Sequence, residues 1–412
     1  MEPKKKILYI SYDGMTDVLG QSQVIPYLTK LSEYGFKIDI LSAEKPENYS
    51  KQKDIIADLL KKSGINWHTI DYTKTPAIIS TIKDLRKLKK KAKLLTHQNK
   101  YEIIHCRSYI PAFVGVYLKK KFNAKFLFDM RGFYADERVD GNLWNQSYII
   151  FKFIYKYFKK KENRFFTNAD YTISLTYAGK EIIRKMKGLQ NIPIEVIPCC
   201  ADLDLFDYNK INETEKENLR KELNISADNF VLTYLGSVGT WYMLDEMMEF
   251  FAVLKQNKPE SKFLFITREN RELIYNSATN YNVDKNDLII ISANREEVPK
   301  LLSLSNVSIF FILPVFSKKA SSPTKFAEIL SMGIPIICNS DVGDLDKFVY
   351  ENNTGLIINN FEKKQYEDAV KKIEEILKIN PEHLRNVAVK LFSLKIGTEK
   401  YKKVYDKLLF GF

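Results

Sequence analysis

The run Ser321-Ser322-Pro323-Thr324-Lys325-Phe326-Ala327-Glu328 concentrates more usable chemistry than any other part of the chain. Pro323 suits the first turn of a helix, where its missing N–H would have had no partner. Gly333 suits the end of that helix, and Ile334 to Cys338 reads as a buried strand after it. The apolar run Val307 to Leu313 reads as the strand before it. At such a strand-to-helix step in an α/β sheet, free N–H groups and the helix dipole converge on anionic ligands. Lys325 adds a cation at the helix start, and Glu328 stands about one turn further in, placed for ligand hydroxyls. A phosphate at the helix start and hydroxyls at the glutamate together outline a sugar nucleotide.

A second concentration is Phe128-Asp129-Met130-Arg131-Gly132-Phe133-Tyr134-Ala135-Asp136-Glu137-Arg138, where opposite charges crowd beside aromatics at the end of an expected strand. His105 and Arg107 close another strand. Asp129, Arg131 and His105 are the candidate catalytic groups. Arg107, Asp136 and Glu137, with Gly14 and Gly20 in the first loop, are candidates for an acceptor-facing loop. One of those glycines is expected to let backbone approach a ligand closely. The competing reading of the charged run is a buried salt-bridge network, and of His105 a satisfied core histidine. Asp202-Leu203-Asp204 and Asp344-Leu345-Asp346 spell D-x-D, but one lies in a connecting segment and one at a helix start. Both read as structural, and no essential metal or other cofactor is expected.

The elements that must position these groups alternate strand and helix. Lys6 to Ile10, a loop Asp13 to Gly20, a helix Gln21 to Tyr34 and a strand Phe36 to Leu41 make a βαβ unit. It carries no G-x-G-x-x-G fingerprint. Further strands are expected at Tyr101 to His105, Lys125 to Phe128, Tyr171 to Ser174 and Ile194 to Ile197, with helices at Thr81 to Leu95 and Asn145 to Phe166. The charged segment Asp207 to Lys221 reads as the interdomain crossing. A second series follows at Phe230 to Gly236, Lys262 to Thr267, Asp287 to Ser292, Val307 to Leu313, Ile334 to Cys338 and Gly355 to Ile358. Helices at Lys363 to Lys378 and Pro381 to Leu409, the latter broken near Gly397, complete it. The expected domains are 1–200 and 207–390, with 391–412 packing back on the first.

A chain of 412 residues suits two domains of roughly 200 each. The four cysteines form no CxxC pair, so neither a zinc site nor a disulfide framework is expected, and a reducing cytosol is the natural setting. The N-terminus reads as a first strand rather than a signal peptide, and no apolar run approaches the ~18 residues of a membrane span. Residues 1–200 hold 36 Lys+Arg against 20 Asp+Glu, a net of +16; the remainder holds 28 against 31, a net of −3. Such asymmetry points to an anionic partner for the first half. Its densest segments are Lys83 to Lys93 and Tyr148 to Lys161, where Phe151, Phe153, Tyr155, Tyr157 and Phe158 interleave with lysines. An anionic bilayer fits this mixture; no nucleic-acid motif is visible.

The residues now carry a resemblance. The whole chain resembles the retaining glycosyltransferases of family 4, which have the GT-B fold: α/β, with two doubly wound Rossmann-like domains facing each other across a cleft. Asp13 to Gln23 resembles their glycine-bearing first loop, Val196 to Phe206 their hinge V-I-P-N-G-V-D-x-x-x-F, and Tyr234-Leu235-Gly236-Ser237 the first strand of their donor domain. Ser321 to Pro335 is similar to E-G-F-G-L-x-x-x-E-A-M-A-x-G-x-P. The resemblance implies donor-binding roles for Ser237, Arg268, Ser322, Thr324, Lys325 and Glu328, the last on ribose hydroxyls. It implies sugar transfer from a nucleotide sugar, with retention and no protein nucleophile, to an acceptor on the first domain. A lipid-linked saccharide is the expected acceptor, and the inner face of the cell membrane the expected place.

Departures from the pattern are specific. Glu328 matches the second glutamate of E-x7-E, but Ala320 stands in place of the first, which usually contacts the transferred sugar. The family's Arg and Lys after the first donor-domain strand fall on Ser237 and Tyr242, so Lys325 and Arg268 are the expected substitutes. Asp129 and Arg131 lie where a histidine often follows the corresponding strand. A sugar-nucleotide epimerase of the same fold, or an inert membrane-bound partner of another transferase, are the rival readings.

Overall fold

The computed structural model describes residues 5–76 and 78–411. The chain divides into two compact units: residues up to Cys199 together with those from Leu394 on, and Cys200–Ser393.

The first unit holds β1 (Lys6–Ser11), β2 (Lys37–Glu44), β3 (Asn66–Asp71), β4 (Ile103–Arg107), β5 (Lys125–Asp129), β6 (Tyr171–Ser174) and β7 (Ile194–Val196). They form one parallel sheet in the order β3-β2-β1-β4-β5-β6-β7. The second holds β8 (Val231–Leu235), β9 (Lys262–Ile266), β10 (Leu288–Ile291), β11 (Val307–Phe310), β12 (Ile336–Asn339) and β13 (Gly355–Ile358), ordered β10-β9-β8-β11-β12-β13, again all parallel. Helices cover both faces of a parallel sheet, so its inner strands are largely apolar runs, as ILYI within β1 and VLTYL in β8 are. In each unit the strand order reverses beside the first strand, at β1/β4 and at β8/β11. Doubly wound sheets bind ligands at the strands' C-terminal ends beside such a switch point.

Several expected elements shift for local reasons. The helix expected over Gln21 to Tyr34 is two, Val18–Gln23 and Ile25–Glu33, because Pro26 cannot continue the hydrogen-bond ladder of the first. The final helix breaks at Ser393, not near Gly397. Ser393 is extended and pairs with Ala201, leaving Pro381–Phe392 and Leu394–Phe410, and Gly397 is buried inside the latter. The interdomain crossing lies at Cys199 and Cys200, not over Asp207 to Lys221, which forms a 3-10 turn and a solvated helix, Glu213–Glu222, inside the second unit.

Candidate functional site

In the second unit the switch point is built around one lysine. Tyr234 comes from β8, and the chain then turns through Gly236 to Tyr242, which bridges to Ile312 just after β11. Asn339 fastens the neighbouring strand end, accepting from Ile312 N (2.8 Å) and donating to Ile312 O (2.9 Å). The helix Thr324–Ser331 begins here with Pro323 as its cap, one position earlier than a first-turn proline would stand. Its residues Lys325 to Ser331 are all buried. Lys325 Nζ lies 3.9 Å from the Tyr242 ring centre, 4.4 Å from that of Tyr234 and 5.7 Å from that of Phe310, and donates to Tyr234 Oη at 3.3 Å. Rings attract a cation but hydrate it poorly, so burial pulls the Lys325 pKa down to about 7; Glu328 opposes the shift. Gly236 is required beside it: its φ is +120°, and a Cβ there would stand 2.8 Å from Lys325 Nζ.

Glu328, one turn on, has 6% of its surface exposed. Arg295, from the loop after β10, brings Nη1 to 2.9 Å from Glu328 Oε1, and its guanidinium lies 5.2 Å from the Phe206 ring centre. Burial raises the Glu328 pKa, and Arg295 and then Lys325 oppose that rise. Ser322 and Thr324 are half-buried at the helix start, and Ser237 is exposed at the end of β8. Arg268 does not join Lys325. It donates to Ala293 O (3.2 Å) and Asn294 Oδ1 (3.1 Å), and so braces the loop that carries Arg295. Lys318, before the helix, is buried with Nζ 3.7 Å from the Trp241 ring centre.

In the first unit the parallel register sets Tyr9 beside His105 and Arg107 beside Asp129. His105 Nδ1 meets Tyr405 Oη at 2.8 Å, its Nε2 lies 3.6 Å from Asp129 Oδ2, and Tyr401 donates to that same oxygen at 3.0 Å. Arg131 Nη1 is 3.7 Å from Asp129 Oδ1, and Nη2 is 3.2 Å from Cys199 Sγ. Arg107 Nε reaches Asp13 at 3.2 Å. Against desolvation, Arg131, the His105 hydrogen bond and Arg107 hold Asp129 down at about 2, while burial lowers the His105 pKa against the opposing pull of Asp129. Arg131 (φ +60°) and Ser108 (φ +66°) sit in backbone conformations costly for residues other than glycine.

The candidate catalytic groups thus lie together, but His105 and Asp129 are each 1% exposed. The geometry is that of the buried network, not of groups open to a substrate. Asp136 and Glu137 belong to the helix Tyr134–Asp140 rather than to a loop. Asp136 is buried and accepts from Tyr155 Oη and Lys159 Nζ, each at 2.8 Å, tying that helix to Ile149–Asn168. Gly14 and Gly20 approach protein, not ligand. A Cβ at Gly20 would stand 2.1 Å from Gly14 O, and one at Gly14 2.7 Å from Glu44 Oε2. Glu44, buried at the end of β2, accepts from Met15 N (2.7 Å), Thr16 N (3.1 Å) and Thr16 Oγ1 (2.6 Å), and so fixes the first loop. Asp202 Oδ1 caps its own turn through Asp204 N (3.1 Å), and Asp346 accepts from Asp341 N (3.2 Å). Among the described residues no group of three or more His, Cys, Asp or Glu is arranged to hold a metal ion.

Tyr401 and Tyr405 make the helix Leu394–Phe410 part of the first unit's core. A chain ended at Ser393 loses both and leaves buried charge incompletely satisfied, at a cost of several kcal/mol, on the order of 3–5. The expected result in limited proteolysis is rapid digestion of residues 1–199 and protection of 200–393. Equal protection of both would contradict it.

A search of curated proteins found no match. Two family models match consecutive parts of the chain: Glycosyltransferase Family 4 over residues 22–205 and Glycosyl transferases group 1 over 215–389. Among solved structures, the chain is similar to a glycosyltransferase from Rickettsia africae (16% identity, 99% of each chain covered, TM-score 0.71). It is also similar to sucrose-phosphate synthase from Thermosynechococcus elongatus (17% identity, 98% and 99% covered, TM-score 0.71). A third is the Anabaena protein HepE, solved in complex with UDP and glucose (12% identity, 98% and 99% covered, TM-score 0.71). The two family models, the paired parallel sheets and these neighbours agree: the chain belongs to the family 4-type glycosyltransferases with the GT-B fold.

Proposed function

We propose that this glycosyltransferase takes a nucleotide-activated sugar at the β8/β11 switch point and passes the sugar, with retention, to a lipid-linked saccharide at an anionic membrane. The observation that carries the donor half is the pairing of Lys325 and Glu328 one turn apart on a buried helix. A diphosphate at the helix start meets the buried Lys325 ammonium, and Glu328 accepts from ribose hydroxyls. In the transfer step Lys325 and the helix N–H groups stabilise charge developing on the leaving diphosphate. That oxygen takes the acceptor hydroxyl's proton on the same face, so no protein nucleophile is needed. Asp129, Arg131 and His105 act in this reading as a rigid support for the first unit's strand ends, with Arg107 nearest the loops. HepE binds UDP in its crystals, which makes UDP-sugars the first donors to test. Incubation of the enzyme with UDP-, GDP-, dTDP- and CMP-sugars and a membrane extract should give one labelled lipid-linked product with its anomeric configuration kept. Interconversion of a nucleotide sugar without acceptor would instead support the epimerase reading.

The membrane half rests on the helix Ile149–Asn168. Tyr148 (61% exposed), Ile149 (71%), Ile150 (55%), Phe153 (64%) and Tyr157 (50%) project from it beside the exposed lysines Lys152, Lys156 and Lys160. Lys159 turns inward to Asp136 and Glu162, so the outward basic row is 152, 156 and 160. Aromatics beside lysines suit headgroup depth, the rings in the interface and the ammonium groups on lipid phosphate. Among the described residues no helix is long and apolar enough to cross a membrane. The protein is expected to sediment with phosphatidylglycerol vesicles and not with phosphatidylcholine, to come off as salt rises above ~0.1 M, and to bind less after Phe153→Ser with Lys156→Glu. Equal partitioning onto both vesicle types would defeat the proposal.

A further inference from the structure

We infer that Arg295 is a positioning residue for the donor site: its guanidinium, in ion-pair contact with Oε1, keeps the Glu328 carboxylate an acceptor. This rests on the reading of Glu328 as the ribose acceptor. The sequence offers no hint of it, because Arg295 lies in a polar loop far from the helix that carries Glu328.

Glu328 occupies a helix whose neighbouring residues are all buried, and a carboxylate there is stripped of water. Left alone, such a group takes up a proton and becomes a rotating hydroxyl donor instead of a fixed acceptor. Arg295 prevents this from one side only. Its Nη1 stands 2.9 Å from Oε1, so the guanidinium supplies charge without enclosing the whole carboxylate. The arginine is itself held in place. Phe206 lies under its guanidinium at 5.2 Å, and its loop is braced by Arg268 on Ala293 O and Asn294 Oδ1 and by Asn294 N on Glu297 Oε2 (2.7 Å). The other cations nearby cannot replace it. Lys325 is occupied by its rings and is the weaker influence on Glu328. Arg385, on the helix Pro381–Phe392 that packs against this one, is paired with Asp207 at 2.9 Å and donates to Ser331 O. The exposed braces around Arg268, which looked like a phosphate ligand, thereby acquire a role: they set the position of Arg295.

The test compares Arg295→Ala, Arg295→Lys and Glu328→Gln with the parent enzyme by calorimetric titration of UDP, or of GDP if UDP does not bind, from about pH 6 to 8.5. The ratio of each variant's dissociation constant to the parent's removes any contribution common to both, including that of Lys325. For Arg295→Ala the ratio should be above one at the acidic end and fall toward one as rising pH ionises the unsupported carboxyl. Arg295→Lys should restore most of the affinity and of the flat profile. A ratio that is raised but independent of pH, or one that stays at unity throughout, overturns the inference. If Arg295→Ala does not fold, Arg295→Lys and Arg295→Gln decide it: a difference between them confined to low pH supports the role, and identical profiles refute it. Unaltered UDP affinity in Glu328→Gln would instead bring down the ribose reading itself. Loss in Glu328→Gln with no effect at Arg295 would leave that reading standing and remove only this one.

Discussion

Replacing Lys325 with methionine is expected to lower the preference for a nucleoside diphosphate over the bare nucleoside and, in the same step, to make the protein harder to unfold. Both effects follow from one burial. The ammonium rests among the rings of Tyr242, Tyr234 and Phe310, and its pKa falls from 10.5 to about 7. Each unit of such a shift corresponds to about 1.4 kcal/mol, so a charged Lys325 opposes folding at neutral pH by several kcal/mol. Methionine fills a similar volume without that cost. The sign with pH is fixed. Between about 7 and 10.5 the unfolded chain binds the proton that the folded chain has lost, so the parent's stability rises across that window. The methionine variant should lack this rise in urea unfolding. Diphosphate affinity runs the other way: only the protonated lysine serves a phosphate, so binding weakens as pH climbs through about 7. The parent's preference for diphosphate over nucleoside, measured by calorimetry, should fall about ten- to a hundredfold in the variant, the range for one hydrogen bond to a charged group, with the helix N–H groups supplying what remains. An unchanged preference would mean that Lys325 never touches phosphate.

The second large effect is at Glu328. Substitution by alanine should weaken nucleoside binding by roughly 1.5–3 kcal/mol, because hydrogen bonds from ribose hydroxyls to a carboxylate are charge-assisted. The loss should appear with nucleoside and nucleoside diphosphate alike, which separates it from the phosphate-specific effect of Lys325. Alanine also strands Arg295, so Glu328→Gln, which keeps the volume, is the companion variant. An intact fold with unaltered nucleoside affinity in both would end the assignment.

What the sequence reveals is what is local to it. Lys325 and Glu328 are three residues apart, with proline before and glycine after, so one helix and one face can be drawn without any tertiary knowledge. The inner strands are legible for a related reason: burial on both faces makes them apolar runs. β3 escapes, since as the edge strand of its sheet it is the half-polar stretch NWHTID with no fully buried residue. The helix Pro46–Lys62, with only Ile56 and Leu60 buried, escapes likewise. The charged stretch at 213–222 imitates a linker because its helix buries nothing. The partners that decide what the charged groups do are beyond local reading. Tyr401 is 272 positions from Asp129, and Tyr405 is 300 from His105. No spacing rule joins them, and so strand-end residues that looked open to a substrate are in fact closed over by the last helix. Arg295 is hidden for the same reason, its importance arising only where two loops and a helix meet.

The division of the chain has a consequence in time. The second unit is one uninterrupted stretch with its own core, inserted between the strands of the first unit and its closing helix. During synthesis at roughly 5–20 residues per second, the ribosome needs on the order of 10–40 s to make those intervening residues. Throughout that interval the first sheet is complete in its strands, yet Asp129 and His105 still wait for their tyrosines. The first half to be made is therefore the last to be finished. For those seconds the nascent chain carries an apolar face, bordered by charged groups, that Leu394–Phe410 covers in the finished fold.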